Sequence, residues 1–173
     1  MKTFFIVLSF ISAIILQTSS IPFLTVSKIS PDLVLVLILL LVILKRFEKV
    51  WWIVVIASLL LDLFSSLPFG LISLSLVITV YLIGLFNRNM FSAVRFWITM
   101  ILVVLATLTY NLVLAILNQL FILIKISQPV SYFCNLSLDC WLDLMLSLAL
   151  AIIYNLLMAA ILFYGAKKIF HQE

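Results

Sequence analysis

Long apolar runs, broken only by short clusters of charge, serine or proline, leave this chain few ways to fold. Six such stretches run Thr3–Leu24, Leu33–Leu44, Val50–Phe64, Phe69–Phe86, Phe96–Ile124 and Trp141–Ala166. A helix crosses the hydrocarbon core of a bilayer with about 20 apolar residues, and most of these stretches approach or exceed that length. Composition points the same way. Of 173 residues, 67% are hydrophobic and 9% charged, where soluble domains carry roughly 25% charged residues. A water-soluble globule of this size cannot hide so much apolar surface, so the solvent must be lipid. The expectation is an all-α membrane protein: a six-transmembrane-helix bundle in which residues 1–173 form one integral membrane domain.

The individual stretches differ in how well they fit that plan. The first ends near Thr18-Ser19-Ser20, which mimics a signal-peptide cleavage site. Apolar character resumes at Ile21, so the stretch reads as a retained helix. The second is short for a span at 1.5 Å per residue, and is expected to recruit the Pro31 turn and part of Lys45–Phe47, giving 31–46. Pro31 suits a first helical turn, and Asp32 in that turn favours the positive end of the helix dipole. Ser65-Ser66-Leu67-Pro68 closes the third stretch. The fifth is overlong, which implies tilt or an extension along the membrane surface.

Charge supplies an orientation. With the N-terminus inside, Lys2, Lys45, Arg46, Lys49, Arg88, Arg95, Lys167 and Lys168 are cytoplasmic, and only Lys28 and Lys125 lie outside. That bias follows the positive-inside rule and predicts both termini on the cytoplasmic side. Trp51, Trp52, Trp97 and Trp141 fall near segment ends, as an aromatic belt requires. Asp32, Asp139 and Asp143 then sit near the outer face. The net charge of +4 reflects these clusters, which meet anionic headgroups and not nucleic acid. Cys134 and Cys140 share the outer loop 127–140, where they either close a short disulfide or remain two thiols. Their spacing permits both.

Ionisable groups inside hydrocarbon cost several kcal/mol unless they face protein or water. Asp62 is the clear case. Ser65 and Ser66 follow it by three and four residues, a spacing that puts all three on one helix face. It either bonds serine hydroxyls and free amides of the next turn near the outer interface, or forms a polar lock or partner contact. Thr107, Asn111 and Asn118 make a rough stripe on the fifth segment. Ser147, Ala151, Asn155 and Ala159 recur every four residues on the sixth. Such rows let membrane helices approach and hydrogen-bond, and are read first as packing within the chain. Ser9 and Ala13 form a weaker small-residue pair.

Chemistry is otherwise sparse. His171 is the single histidine, no CxxC pair occurs and no Gly-rich phosphate loop is present, so no metal site or cofactor is expected. The serines have no membrane-embedded base to activate them. The expectation is a protein that is not an enzyme.

The stretch from Ser30 to Phe86, SPDLVLVLILLLVILKRFEKVWWIVVIASLLLDLFSSLPFGLISLSLVITVYLIGLF, resembles the rod shape-determining protein MreD family. That family shows a Pro-Asp or Pro-Asn turn before a short apolar helix, a basic cytoplasmic turn, a helix ending LLLDLxSG, then PLG and an apolar helix with a Tyr near its middle. The matching residues are Pro31, Asp32, Leu61, Asp62, Leu63, Ser65, Pro68, Gly70, Leu71 and Tyr81. Ser58 and Ser66 stand where the family has glycine, and the last two segments carry no signature. The resemblance covers a third of the chain in motif. It implies an architecture similar to energy-coupling-factor transporter substrate-binding subunits. It also implies a non-enzymatic role in the bacterial cell-elongation complex: direct binding of MreC, with MreB and the RodA–transpeptidase synthase as wider partners. A vitamin-binding transport subunit is the alternative that the same architecture allows.

Overall fold

The computed structural model describes residues 10, 12–15, 17, 32–45, 47–65, 67–90, 96–124 and 138–170. Side chains at 45, 47–49, 89, 90, 138–144 and 165–170 lie outside that description. The described residues are all-helical, with no strand among them. Helical residues at 10, 12–15 and 17 form α1. Then come α2 (Leu33–Lys45), α3 (Phe47–Leu63), α4 (Leu71–Met90), α5 (Phe96–Leu123) and α6 (Leu138–Phe170).

Among the described residues, three helical spans are long and apolar enough to cross a membrane: Leu71–Arg88, Phe96–Leu123 and Met145–Tyr164. They mark the chain as membrane-embedded. Their outward faces carry Leu82, Ile101, Leu112, Ile116, Ile153, Leu157 and Ile161, all exposed. In water such continuous apolar faces would be an aggregation surface; in a bilayer they meet acyl chains. Leu33–Leu44 and Val50–Leu63 are shorter apolar helices, and most of the first apolar stretch lies outside the described residues.

The short α2 is the centre of the molecule. It packs against α3, α4, α5 and α6, and Val34, Val36, Ile38 and Leu39 are fully buried. A helix apolar on every side belongs in a core or in lipid, and lipid tails are as apolar as leucine. What decides between them is the helix end. The 13 residues of α2 rise only about 20 Å. Its first amides therefore lie within the bundle, where no water can satisfy them. Only neighbouring side chains can, and Asn155 and Gln17 do.

Antiparallel packing brings helix ends together. Phe96, at the start of α5, meets Phe163 and Tyr164 near the end of α6, with ring centroids 5.5 and 5.9 Å apart. On α6, Asn155, Ala159 and Phe163 are buried, so α2 lies along this second half and runs parallel to it. One end of the bundle thus gathers the ends of α2, α4 and α6 with the starts of α3 and α5.

Several expectations need correction. Asp32 precedes α2 instead of occupying its first turn, with its carbonyl accepting from the Val36 amide at 3.1 Å. Nor is it level with an outer end of α6: it meets Asn155, midway along that helix. The third helix starts at Phe47, earlier than Val50, and the fourth at Leu71, later than Phe69. Residues 67–70 are spent on the turn between them. The third helix stops at Leu63, so Ser65 stands beyond it and shares no helix face with Asp62.

Candidate functional site

Two polar networks interrupt the apolar bundle. The first surrounds Asp62, which is 2% exposed. Its Oδ2 accepts from the Gly70 amide and from the Ser73 hydroxyl at 3.0 Å, and its Oδ1 from the Ile72 amide at 3.3 Å. The carboxylate at the end of α3 therefore caps the start of α4, satisfying amides that otherwise have no partner. Its charge also faces the positive end of the α4 dipole. Of the two readings of Asp62 from sequence, the free amides of the next turn are where its bonds go; the serine is Ser73, not Ser65 or Ser66.

The rest of the motif builds that turn. Ser65 and Phe64 amides donate to the Asp62 and Leu61 carbonyls at 3.1 and 3.2 Å, closing the end of α3. Ser65 Oγ accepts from the Leu67 amide at 2.9 Å. The Pro68 carbonyl accepts from the Leu71 amide at 3.2 Å. Gly70 has φ +97 with nothing within 4 Å of where a Cβ would stand. Its requirement is therefore one of backbone conformation, not of space. That conformation directs its amide at Asp62.

The second network joins four helices. Asn155 Oδ1 on α6 accepts from the Asp32 amide at 2.9 Å, and its Nδ2 donates to Thr107 Oγ1 on α5 at 3.1 Å. Thr107 in turn donates to the Val103 carbonyl at 2.9 Å. From α1, Gln17 Oε1 accepts from the Val34 amide at 3.1 Å, and its Nε2 donates to Asp32 Oδ1 at 3.4 Å. Two amide side chains thus cap the central helix, and the Asp32 carboxylate is left with the longest bond of the set. Thr107 is ten residues from Trp97, and Asn155 nine from Tyr164. At 1.5 Å per residue both lie about 15 Å from those aromatics, half the thickness of a hydrocarbon core.

The structure brings Asp62, Ser65, Pro68 and Gly70 together and puts Asp32 in the other network. Tyr81 is half-exposed on the outward side of α4, eleven positions beyond Gly70. Pro31 and Cys134 lie outside the described residues, and Cys140 is described only as helical backbone; the disulfide question lies there too. Gln17 and Ser73 escaped the sequence reading. Gln17 had a signal, as the one amide side chain in the first apolar stretch.

The stripe on α5 divides. Thr107 joins the network, while Asn111, half-buried, donates from Nδ2 to its own helix at the Thr107 carbonyl, 2.8 Å away. Asn118 is 1% exposed, and neither its Nδ2 nor its Oδ1 has a hydrogen-bond partner. Thr79 Oγ1 on α4 is likewise buried without one. Among the described residues no group of His, Cys, Asp and Glu is placed to hold a metal. No family model, curated protein or solved structure matches the chain.

Proposed function

We propose that this chain is a non-enzymatic membrane component of the bacterial cell-elongation complex, an MreD-like partner that binds MreC. It sits in the inner membrane as a six-helix bundle with both termini cytoplasmic, and acts on cell shape and peptidoglycan synthesis through MreC. MreB and the RodA–transpeptidase synthase are its wider partners. The observation that supports this reading is the Asp62–Gly70 turn. Four of the residues that carry the resemblance, Asp62, Ser65, Pro68 and Gly70, make a built unit here: a carboxylate, a left-handed glycine and the turn into α4. A shared motif with a structural reason is stronger support than a match between apolar helices. The outward faces of the helices are apolar and long, so association takes the form of lateral helix–helix packing.

Co-purification with MreC from detergent tests the proposal. Retention of MreC by the wild-type chain is the expected result. A folded chain that never retains MreC would overturn it. The second reading, a small-molecule-binding transport subunit, has one observation in its favour: Gln17, Asp32, Thr107 and Asn155 converge inside the bundle. Vitamin retained after native purification, and lost in Asp32→Ala, would favour that reading over the first.

A further inference from the structure

Gln17, Asp32, Thr107 and Asn155 form a polar layer at one depth, and a fifth group reaches the same level. Thr79 lies eleven residues before the end of α4, and Thr107 eleven after the start of α5. Those two ends lie together, so both threonines stand about 16 Å along their helices from the same end of the bundle. Thr79 shares the inward face of α4 with Leu76 and Ile83, three residues before it and four after. Both of those belong to the core that α2 fills, and α4 packs against α2 and α5. The Thr79 side chain is 0% exposed, and its Oγ1 has no hydrogen-bond partner. A helical threonine can return its hydroxyl to the carbonyl four residues back, as Thr107 does. Thr79 keeps its hydroxyl free at the level where α2 begins.

Charge at this level is also incompletely balanced. The start of α2 supplies about half a positive charge against the full negative charge of Asp32. Gln17 adds one bond at 3.4 Å, longer than an ordinary hydrogen bond. Among the described residues no lysine or arginine lies at this depth; those on α2, α3, α4 and α6 are at the far helix ends. A carboxylate at half depth is costly unless a cation or water meets it. Asp32 and Gln17 are half-buried and not sealed, so the carboxylate is reachable. Around it the free valences belong to oxygen. Asn155 Oδ1 and Gln17 Oε1 each accept one amide and keep a second lone pair. A set of one carboxylate, two amide oxygens and a hydroxyl suits a hard cation, and its single charge suits a monovalent one.

We propose that this mid-depth layer is a binding site for a small monovalent cation, a metal ion or a primary ammonium group, held by the Asp32 carboxylate and the Thr79 hydroxyl with Gln17 and Asn155 beside them. The inference rests on neither reading of function above. Its test is cation-dependent stability of the full chain in detergent. At constant ionic strength, N-methyl-D-glucamine chloride is replaced stepwise by sodium, potassium or methylammonium chloride, and thermal unfolding is followed. At least one of the three should raise the midpoint in a saturable way, and which one does so tells a metal ion from an ammonium group. Asp32→Asn keeps an oxygen for Gln17 and the backbone bond to Asn155, and should lose the response. Thr79→Val removes a buried hydroxyl that has no partner. It should leave the cation-free chain at least as stable while weakening the cation about tenfold; Thr79→Ser should keep the wild-type response. A midpoint that moves with none of the three cations would overturn the proposal, as would an equal shift in Asp32→Asn. So would a response that appears only in Lys28→Ala, because the chain's own lysine would then be the cation.

Discussion

Asp62 and Asp32 are both carboxylates set among apolar helices, and they are held in opposite ways. Asp62 finds every partner within eleven residues, in the turn that follows it. Asp32 and the helix it starts depend on Gln17, fifteen residues before, and on Asn155, 123 residues after. The first network closes a local hairpin of α3 and α4. The second assembles the bundle, because the amides of a short central helix can be satisfied only from α1 and α6. A membrane protein with little soluble loop has two polar problems, turning and burying, and this chain solves them at separate sites.

Breaking the local site should have the largest effect. Asp62→Ala strands the Gly70 and Ile72 amides in a buried place, and should cost about 2–4 kcal/mol by the combined loss of a cap and unsatisfied donors. Denaturant unfolding in mixed micelles measures it, and Asp62→Asn should recover part of the loss. Asn155→Ala removes two bonds across three helices. It should cost about 1–2 kcal/mol, in the range of interhelical hydrogen bonds in bilayers, by the same assay. Gly70→Ala should cost about 1 kcal/mol, all of it from the left-handed backbone, as no atom obstructs the new methyl. Asn118→Leu should go the other way. Replacing a buried amide that has no partner with an apolar side chain should raise stability by about 1 kcal/mol. Asn118 and Asn155 are almost equally buried, so opposite signs at these two positions would show that bonding, not burial, sets the value of an amide here.

The same contrast explains what the sequence disclosed. The helical segments were legible because lipid imposes unbroken apolar runs. Asp62 stood out because a lone charge near a segment end asks for a partner, and the free amides beyond the serines were foreseeable. Gly70 and Pro68 were visible as turn residues, but the left-handed φ of Gly70 was not. Asp32 was misplaced for a physical reason: a Pro-Asp pair after a gap of polar residues looks like an interface. Nothing in local spacing says that the following helix starts inside the bundle. Asn155 was seen only as one of a row spaced by four. That it carries the contact to Asp32 depends on where α2 begins, a long-range fact. Gln17 went unread because a single amide in an apolar run has no periodicity to mark it.

The central claim is that α2 begins in the middle of the bundle, against the midpoint of α6. Cysteine cross-linking in membranes tests it most directly, with Cys134 and Cys140 first replaced by serine. Asp32→Cys paired with Asn155→Cys should form a disulfide under mild oxidation, and Asp32→Cys paired with Asp143→Cys should not. Cross-linking of 32 to 143 and none to 155 would contradict the account, because it would return Asp32 to the outer end of the helices.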